Sequence, residues 1–406
     1  MWANHQNSRS RDTESQSRSP QPFNGRHMEQ STRSLSNRCR TGLEPWAATG
    51  RRSSRPGGSA LALQSAAAIR SRYGVVRSRH RVQAVNLQSL VWEGDSLVDW
   101  AGGGERFHLD GTRRQRAYTS FGSMFDRAVG LPDGSFTVIY GRLGTKAVLL
   151  KKGKVLRELN RSYYCADAYE YPVAVFKLFD GRPVIAHCPD HYNVIQIEDA
   201  DTGERLTMRR RKAMDVFHSR LAASANGRTL LSAGWVWHPF GVVNVFDLPS
   251  ALEEPASLNG AGLPAFEQVA GEVQSACFVD DDQILIATDP PEERLDEPDH
   301  NPTALGQGEL GCWSLSTGDF IYRTKVGRSM GTMMAVGLSQ VLAFFEHPRL
   351  IDCRSGAVLE EWDDLDSGRQ TSSIVWRRAA DPVLALDSQR GRFALVDSGG
   401  ITVIQV

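Results

Sequence analysis

The sequence predicts an all-β fold: a seven-bladed β-propeller of four-stranded antiparallel blades, preceded by a disordered N-terminal segment. Three observations predict it. Short apolar strand patterns fill the chain from residue 88 onward, tight-turn signals recur at a regular spacing, and no amphipathic helix interrupts the pattern. Only SALEEPA, residues 250–256, is compatible with a single helical turn.

A recurring turn sets the repeat length. Asp133-Gly134, Asp180-Gly181 and Asn226-Gly227 each separate two apolar runs and offer the positive φ angles that tight hairpins need. These pairs lie 47 and then 46 residues apart, and Asp281-Asp282 takes the same place 55 residues later. A four-stranded unit that repeats every 40 to 50 residues or so, roughly the spacing seen here, is typical of propeller blades.

Seven such units are predicted. One antiparallel meander cannot bury both of its faces, whereas sheets packed radially hide both faces and most of their edges. The last unit reads SSIVW, PVLALD, RFALVD and ITVIQV, so we expect the ring to close without an N-terminal strand. The predicted blades are residues 88–119, 120–162, 170–212, 216–268, 270–326, 330–366 and 370–406.

Residues 1–86 form a separate Arg/Ser-rich segment, and residues 87–406 are assigned to the propeller. Residues 1–90 hold 15 Arg, no Lys and four acidic residues; of the 47 basic and 47 acidic residues in the chain, 32 and 43 therefore remain in 91–406. Such a segment cannot bury enough apolar surface to fold. Three explanations stay open: a nucleic-acid-binding tail, a transit peptide, or upstream sequence translated from a misplaced start codon, with Val85 or Leu87 as the true start.

The composition also indicates where the protein is located in the cell and which classes of partner it binds. No run of about 18 apolar residues is present, so no membrane span is expected. Five scattered cysteines beyond residue 90 favour free thiols in the cytoplasm. The acidic balance of residues 91–406 argues against nucleic acid at the propeller. We expect a monomer, without a metal or cofactor.

The repeat resembles a known family. SANGRTLLSAG…VVNVFDL, with its partner VIQIEDADTGERL, resembles the WD40 and related seven-bladed propeller repeats, over residues 88–406. The chain departs from that pattern, because no Gly-His dipeptide opens the blades and VFD, IED and IDC stand where Trp-Asp closes them. The resemblance implies a rigid interaction scaffold and no catalytic residues.

Propeller topology sorts the connections into two faces. Turns between the first and second strands of a blade, and between the third and fourth, share one face, which we call the turn face. Connections between the second and third strands, and crossings between blades, share the other, which we call the loop face. Aromatic residues and Arg are typical interface anchors, and the loop face carries Tyr169, Tyr171, Phe217, His218, Arg220, Trp235, Trp237, His238, His347, Arg349 and Arg369.

These loop-face residues predict a binding site for a protein or peptide around the central channel. Trp237 and His238 are the favoured anchors, and Arg349 and Arg369 are expected to meet an anionic or carboxylate group. The alternative is that the aromatic side chains pack on one another over the mouth of the channel.

Three motifs invite a catalytic or metal-binding interpretation. GRSMG, around Ser329, matches a nucleophile elbow, but a strand pattern follows it where a helix is required. GQGELG, residues 306–311, leads into a strand and so does not fit a dinucleotide site. HCPDH, residues 187–191, contains metal-ligand residue types without a second cluster. The acidic stretch 288–300 is best explained as a solvated insertion.

Two functions from different classes follow. The first is a non-catalytic propeller that binds a protein or peptide on its loop face. The second is a propeller hydrolase or lyase that acts on a small molecule at the channel mouth, and it draws on His218, His238, His347, Asp364 and Asp366. The second hypothesis predicts a deep polar pocket in which a His and a carboxylate lie within hydrogen-bond reach.

Overall fold

The computed structural model describes residues 69–70, 76–114, 125–209, 213–237, 240–260, 262–264, 268–290, 303–375 and 381–406. The predicted N-terminal segment up to residue 68, His238 and most of the acidic stretch 288–300 lie outside these residues.

Seven antiparallel blades arranged in a ring form the fold, as the sequence predicts. Blade 1 holds β3 to β6, blade 2 β7 to β10, blade 3 β11 to β13, blade 4 β14 to β17, blade 5 β18 to β21, blade 6 β22 to β25, and blade 7 β26 to β28 with β1 and β2. The strands are β1 (Ile69–Arg70), β2 (Val76–Val82), β3 (Val91–Glu93), β4 (Ser96–Asp99), β5 (Glu105–His108), β6 (Arg113–Arg114), β7 (Arg127–Gly130), β8 (Phe136–Tyr140), β9 (Lys146–Lys151), β10 (Lys154–Asn160), β11 (Val173–Lys177), β12 (Pro183–His187), β13 (Gln196–Asp199), β14 (Val216–Phe217), β15 (Ala222–Ala223), β16 (Thr229–Val236), β17 (Phe240–Asp247), β18 (Val273–Phe278), β19 (Gln283–Thr288), β20 (Glu309–Ser314), β21 (Asp319–Lys325), β22 (Thr332–Val336), β23 (Gln340–Phe345), β24 (His347–Asp352), β25 (Val358–Glu361), β26 (Leu384–Asp387), β27 (Arg392–Asp397) and β28 (Gly400–Gln405).

Two blades reduce their outer strand to a single bridge. In blade 3, an isolated pair between Glu198 and Arg205 marks the fourth strand position, and in blade 4 a pair between Val245 and Leu263 does so. The first strand of blade 4 is split into β14 and β15, which both pair with β16. The predicted helical turn is present as α1 (Leu248–Glu253), and a 3-10 helix (Pro255–Asn259) follows it.

The core lies between neighbouring blades. Seven apolar clusters separate the seven pairs of adjacent sheets, so each sheet is buried on both faces. The cluster between blades 7 and 1, which includes Phe107 and Val403, completes the circle. Burial on both faces explains why central strands such as β16 and β17 read as nearly continuous apolar runs.

An N-terminal strand closes the ring, contrary to the prediction. β2 pairs with β28 at the fourth strand position of blade 7, in register from Ser78 opposite Gln405 to Val82 opposite Ile401, and the short β1 pairs with β2 outside it. In the predicted first strand SSIVW, residues 372–376, the described residues instead pair with residues 168–170 of another crossing. The propeller therefore begins upstream of the predicted boundary at residue 87, and a chain starting at Val85 or Leu87 would lack β2.

The turn face follows the prediction. Gly134, Gly181 and Gly227 all have positive φ angles. A β-carbon at Gly227 would lie 2.1 Å from the carbonyl oxygen of Lys177 in the neighbouring blade, so only glycine fits there.

The described cysteines, Cys165, Cys188, Cys277, Cys312 and Cys353, are all free thiols, as predicted. Within the described part of the chain, none of the helices has the length and apolar character needed to cross a bilayer.

Candidate binding site on the loop face

The predicted site residues differ in how far their side chains are exposed to solvent. Trp237 is 53% exposed and Arg369 is also exposed, whereas Arg220 and His347 are half-buried. The others are buried: Tyr169, Tyr171, Phe217, His218, Trp235 and Arg349. A buried side chain presents no surface to a partner, so mutual packing, the alternative drawn from the sequence, describes the placement of these aromatic residues.

A stack of aromatic rings forms the centre of the site. Phe217 of β14 lies opposite Trp235 of β16 in the strand register, and their rings stack 3.9 Å apart at an interplanar angle of 8°. Tyr169, in the crossing from blade 2 to blade 3, meets both rings edge to face. The edge-to-face contacts of Tyr169 are among the arrangements that aromatic quadrupoles favour. The rings are therefore held by several neighbours at once.

The stack continues outward to solvent. Tyr192 stacks on Phe217 at 4.3 Å, and Tyr164 lies 5.0 Å from Tyr192. Trp237 lies 5.7 Å from Phe217 and 5.5 Å from Trp235, measured between ring centroids. Tyr164 is 46% exposed and Tyr192 is half-buried. We call Tyr164, Tyr192, Phe217, Trp235 and Trp237 the aromatic patch.

A carboxylate borders the aromatic patch. The Tyr192 hydroxyl donates a 2.5 Å hydrogen bond to Oδ1 of Asp215, an exposed residue just before β14. Burial raises the pKa of the Tyr192 phenol, and the bond to Asp215 raises it further. Tyr192 therefore stays protonated and keeps donating to the carboxylate at neutral pH.

Tyr171 is held beneath Arg161. The Arg161 guanidinium lies 4.6 Å from the centroid of the Tyr169 ring and 5.0 Å from that of Tyr171. Burial raises the pKa of both phenols, which therefore remain neutral. This cation between two rings fixes the crossing from blade 2 to blade 3.

Backbone crosses the loop face at its centre. Residues 372–375 belong to the crossing from blade 6 to blade 7, yet they pair with residues 168–170 on the opposite side of the ring. Glu170 N donates to Ser373 O at 3.1 Å, and Val375 N donates to Ala168 O at 2.8 Å. Ile374 packs into the cluster of Tyr169, Phe217 and Trp235. The channel mouth thus contains packed chain where a deep polar pocket was an alternative expectation.

The two buried or half-buried Arg residues bind their own chain. Arg220 donates to both carboxylate oxygens of Glu170, at 3.3 Å each, and to Ser372 O at 2.8 Å. The Arg349 guanidinium donates to Ser329 O. Arg220 thus joins two crossings, and Arg349 joins β24 to the crossing that contains Ser329, so both guanidinium groups are engaged within the chain. Arg369 is exposed, and its Nη2 lies 3.2 Å from Oε1 of Glu346.

The histidines of the loop face have structural partners. Burial lowers the pKa of His218 to about 3, with a smaller effect from Arg209, and His218 Nδ1 lies 3.1 Å from Ser232 Oγ. His347 Nδ1 lies 2.8 Å from the carbonyl oxygen of Leu365. Neither contact joins a histidine to a carboxylate.

The two acids named with these histidines also have partners. Asp364 pairs with Arg79 at 2.6 Å, and Asp366 Oδ1 accepts from Gly368 N at 2.9 Å. No acid–base pair therefore forms from these described residues.

In the GRSMG and HCPDH motifs, the residues that suggested catalysis or metal binding have structural partners. Gly331 leads directly into β22, a strand, and Ser329 Oγ accepts from Gln274 Nε2 at 3.2 Å. In HCPDH, His187 is buried 3.2 Å from Glu198, and Asp190 pairs with Arg205. Among the described residues, no group of three or more His, Cys, Asp or Glu side chains could hold a metal ion.

The described residues also form a small cavity between blades 4 and 5. It is lined by Val242, Val273 and neighbouring apolar residues and has a volume of about 10 Å³. That is room for about one water molecule. This cavity is too small for a substrate.

Tyr164, Tyr192 and Asp215 are not among the site residues predicted from the sequence. Their shared signal is position: each lies in a connection that propeller topology assigns to the loop face of blades 3 and 4. What joins them, a ring stack on Phe217 and a hydrogen bond, depends on side-chain geometry that spacing does not show.

Comparison with known proteins supports the fold. No protein-family model matches the sequence, and no curated protein sequence is significantly similar to it. Among solved structures, the chain is similar to a chain of Kuenenia stuttgartiensis hydrazine synthase, with a TM-score of 0.52 and 13% identity; the match covers 80% of this chain and 97% of that one. At this identity the likeness shows the fold alone.

Proposed function

We propose that this propeller is a non-catalytic interaction module that binds a protein or peptide partner through the aromatic patch on its loop face. The observation that carries the proposal is that exposed Trp237 and Tyr164 rest on a fixed stack of buried rings. Trp and Tyr dominate binding energy at interfaces because each buries a large area with few rotatable bonds. Rings that are already held in place lose little entropy on binding.

Arg369 is proposed as a contact at the rim of this site. It is exposed on the same face, and its ion pair with Glu346 is open to solvent. An exposed ion pair contributes little to stability, about 0–1 kcal/mol, so Arg369 can exchange Glu346 for a partner's carboxylate at small cost.

The alternative of a channel-mouth enzyme has less support. It requires a pocket where a histidine and a carboxylate meet, and His218 and His347 instead contact Ser232 and a backbone carbonyl. The likeness to a chain of hydrazine synthase brings no activity to this chain, since it concerns fold only.

Three further expectations belong to the proposal. The turn spacing supports a distant relation to WD40-like repeats, although the Gly-His and Trp-Asp dipeptides are replaced. The free thiols of the described residues support a cytoplasmic location. The closed ring, in which β2 covers the edge of blade 7, supports a monomer because it leaves few strand edges for self-association.

The test is affinity purification from the native cell with mass spectrometry, using the full chain as bait. Trp237→Ala is compared with Phe179→Ala, which removes a 42% exposed ring on the turn face. We expect Trp237→Ala to weaken capture of a specific partner at least about tenfold, the usual loss at an aromatic hot spot. Phe179→Ala should retain the partner. If every partner survives both Trp237→Ala and Tyr164→Ala in folded baits, the proposal is wrong.

A further inference from the structure

Resting on the proposed function, we infer that the aromatic patch recognises a cationic side chain, the guanidinium of Arg or the ammonium of Lys, presented by the partner. Two features of the patch point to a positive guest: the exposed aromatic residues Trp237 and Tyr164, and the exposed carboxylate of Asp215, which is bonded to Tyr192. A cation over an aromatic face is attracted by the ring quadrupole, and a nearby carboxylate adds a Coulomb attraction.

The first step concerns the rings. Tyr192 donates its hydroxyl proton to Asp215 at 2.5 Å, which places negative charge at the edge of the stack and increases the electron density of the phenol ring. Asp215 also raises the pKa of Tyr164, after the larger effects of burial and Cys165. Trp237, the aromatic type that binds cations best, lies next to the same Phe217, with the ring centroids 5.7 Å apart.

The second step concerns the surrounding charge. Asp167 is exposed in the same crossing as Tyr164. Arg220, the described Arg or Lys nearest in sequence to Asp215, donates to Glu170 and to Ser372 O. Arg209 donates to Asn259 Oδ1 at 2.6 Å and to Ile195 O at 2.5 Å. Asp215 is an exposed carboxylate, whereas the guanidinium of Arg161 is buried against the Tyr169 and Tyr171 rings. Residues 91–406 as a whole hold 43 acidic against 32 basic residues.

A basic run raises a competing possibility. Arg210, Arg211 and Lys212 precede Ala213 in the sequence and lie outside the described residues. Aromatic rings next to basic residues also bind single-stranded nucleic acid, through base stacking and phosphate contacts. The charges that the structure describes favour a cationic guest, and the experiment includes a nucleic-acid arm.

The experiment measures weak binding to the full chain by ligand-detected saturation-transfer NMR. The probes are acetylated, amidated tripeptides Gly-X-Gly in which X is Arg, Lys, citrulline or Glu, together with a short oligothymidine. Citrulline has nearly the shape of Arg without its charge, so it isolates the charge. We expect the Arg and Lys peptides to bind at least about fivefold more tightly than the citrulline peptide.

Matched variants assign the effect to the patch. Asp215→Asn should weaken the Arg peptide about fivefold, whereas Asp363→Asn, which neutralises an exposed carboxylate elsewhere, should leave it unchanged. Trp237→Ala should abolish the signal, with unfolding midpoints in urea confirming that each variant is folded.

The outcomes are distinct from those of the partner experiment. Equal binding of the citrulline and Arg peptides, or preferred binding of the Glu peptide or oligothymidine, overturns the cationic guest. If the peptides give one of these results, while partner capture depends on Trp237 and survives Asp215→Asn, only this inference is wrong. The proposed function then stands.

Discussion

The strand β2 makes the stability of the propeller depend on residues upstream of 85. Five residue pairs, from Ser78 with Gln405 to Val82 with Ile401, join it to β28. An antiparallel ladder of this length contains about five backbone hydrogen bonds, each contributing about 0.5–1 kcal/mol net, and burial of Val82 adds about 1.5 kcal/mol. A chain that begins at Val85 should therefore lose about 4–6 kcal/mol of unfolding free energy.

Urea unfolding followed by far-UV circular dichroism measures this loss. A chain that begins at Gln64 keeps both β1 and β2 and serves as the control, and it should unfold at the same urea concentration as the full chain. Removal of β2 also leaves the edge of β28 unpaired, so we expect the shorter chain to self-associate in sedimentation experiments. Equal midpoints for the chains starting at Gln64 and Val85, with both monomeric, would show that the ring does not depend on β2.

Three other predictions concern the interior. Phe217→Ala should lower the unfolding free energy by about 3–5 kcal/mol in urea titrations, because it empties the centre of the aromatic stack. Gly227→Ala should be destabilising in the same assay, since the added carbon meets the Lys177 carbonyl, whereas Gly318→Ala, a turn glycine with open space around it, should cost less. Because the folded pKa of His218 is about 3 against about 6.5 unfolded, stability linked to it is full above pH 6.5 and falls by about 1.4 kcal/mol per unit as pH drops toward 3. His218→Gln should therefore have a flatter stability curve between pH 6.5 and 4; an unchanged slope would contradict a neutral buried imidazole.

The sequence predicts the number of blades well and the closure of the ring poorly, for a physical reason. Blades are local: Asp133 and Ser135, two residues apart, hold a turn through a 2.9 Å hydrogen bond, so composition reveals it. Closure is a long-range pairing of residues 78–82 with 401–405. β2 reads SRHRV along its paired part, polar on the side that faces solvent, and offers no apolar run to distinguish it from the Arg-rich residues before it.

The burial of individual loop-face residues also cannot be predicted from their spacing in the sequence. Trp235 and Trp237 are two residues apart, but Trp235 ends buried in β16 while Trp237 lies just past the strand and is 53% exposed. Residue type alone assigns both to a binding surface. Whether a Trp ring is buried in the stack or exposed to a partner depends on where the strand ends. It also depends on Phe217, which comes from a different strand of the same blade.

Most of the predicted site residues are buried, and those in the aromatic patch hold its exposed residues in place. A lone exposed Trp on a loop samples several rotamers and must give up that freedom on binding. Here Trp237 adjoins Phe217 and Trp235, and these two are fixed by Tyr169 and by Ile374 from the far side of the ring. The crossing at residues 372–375 therefore fills the channel mouth and at the same time braces the surface beside it. An opening at the mouth and a rigid aromatic patch are mutually exclusive uses of the same residues, and the packing of Ile374 against the stack favours the patch.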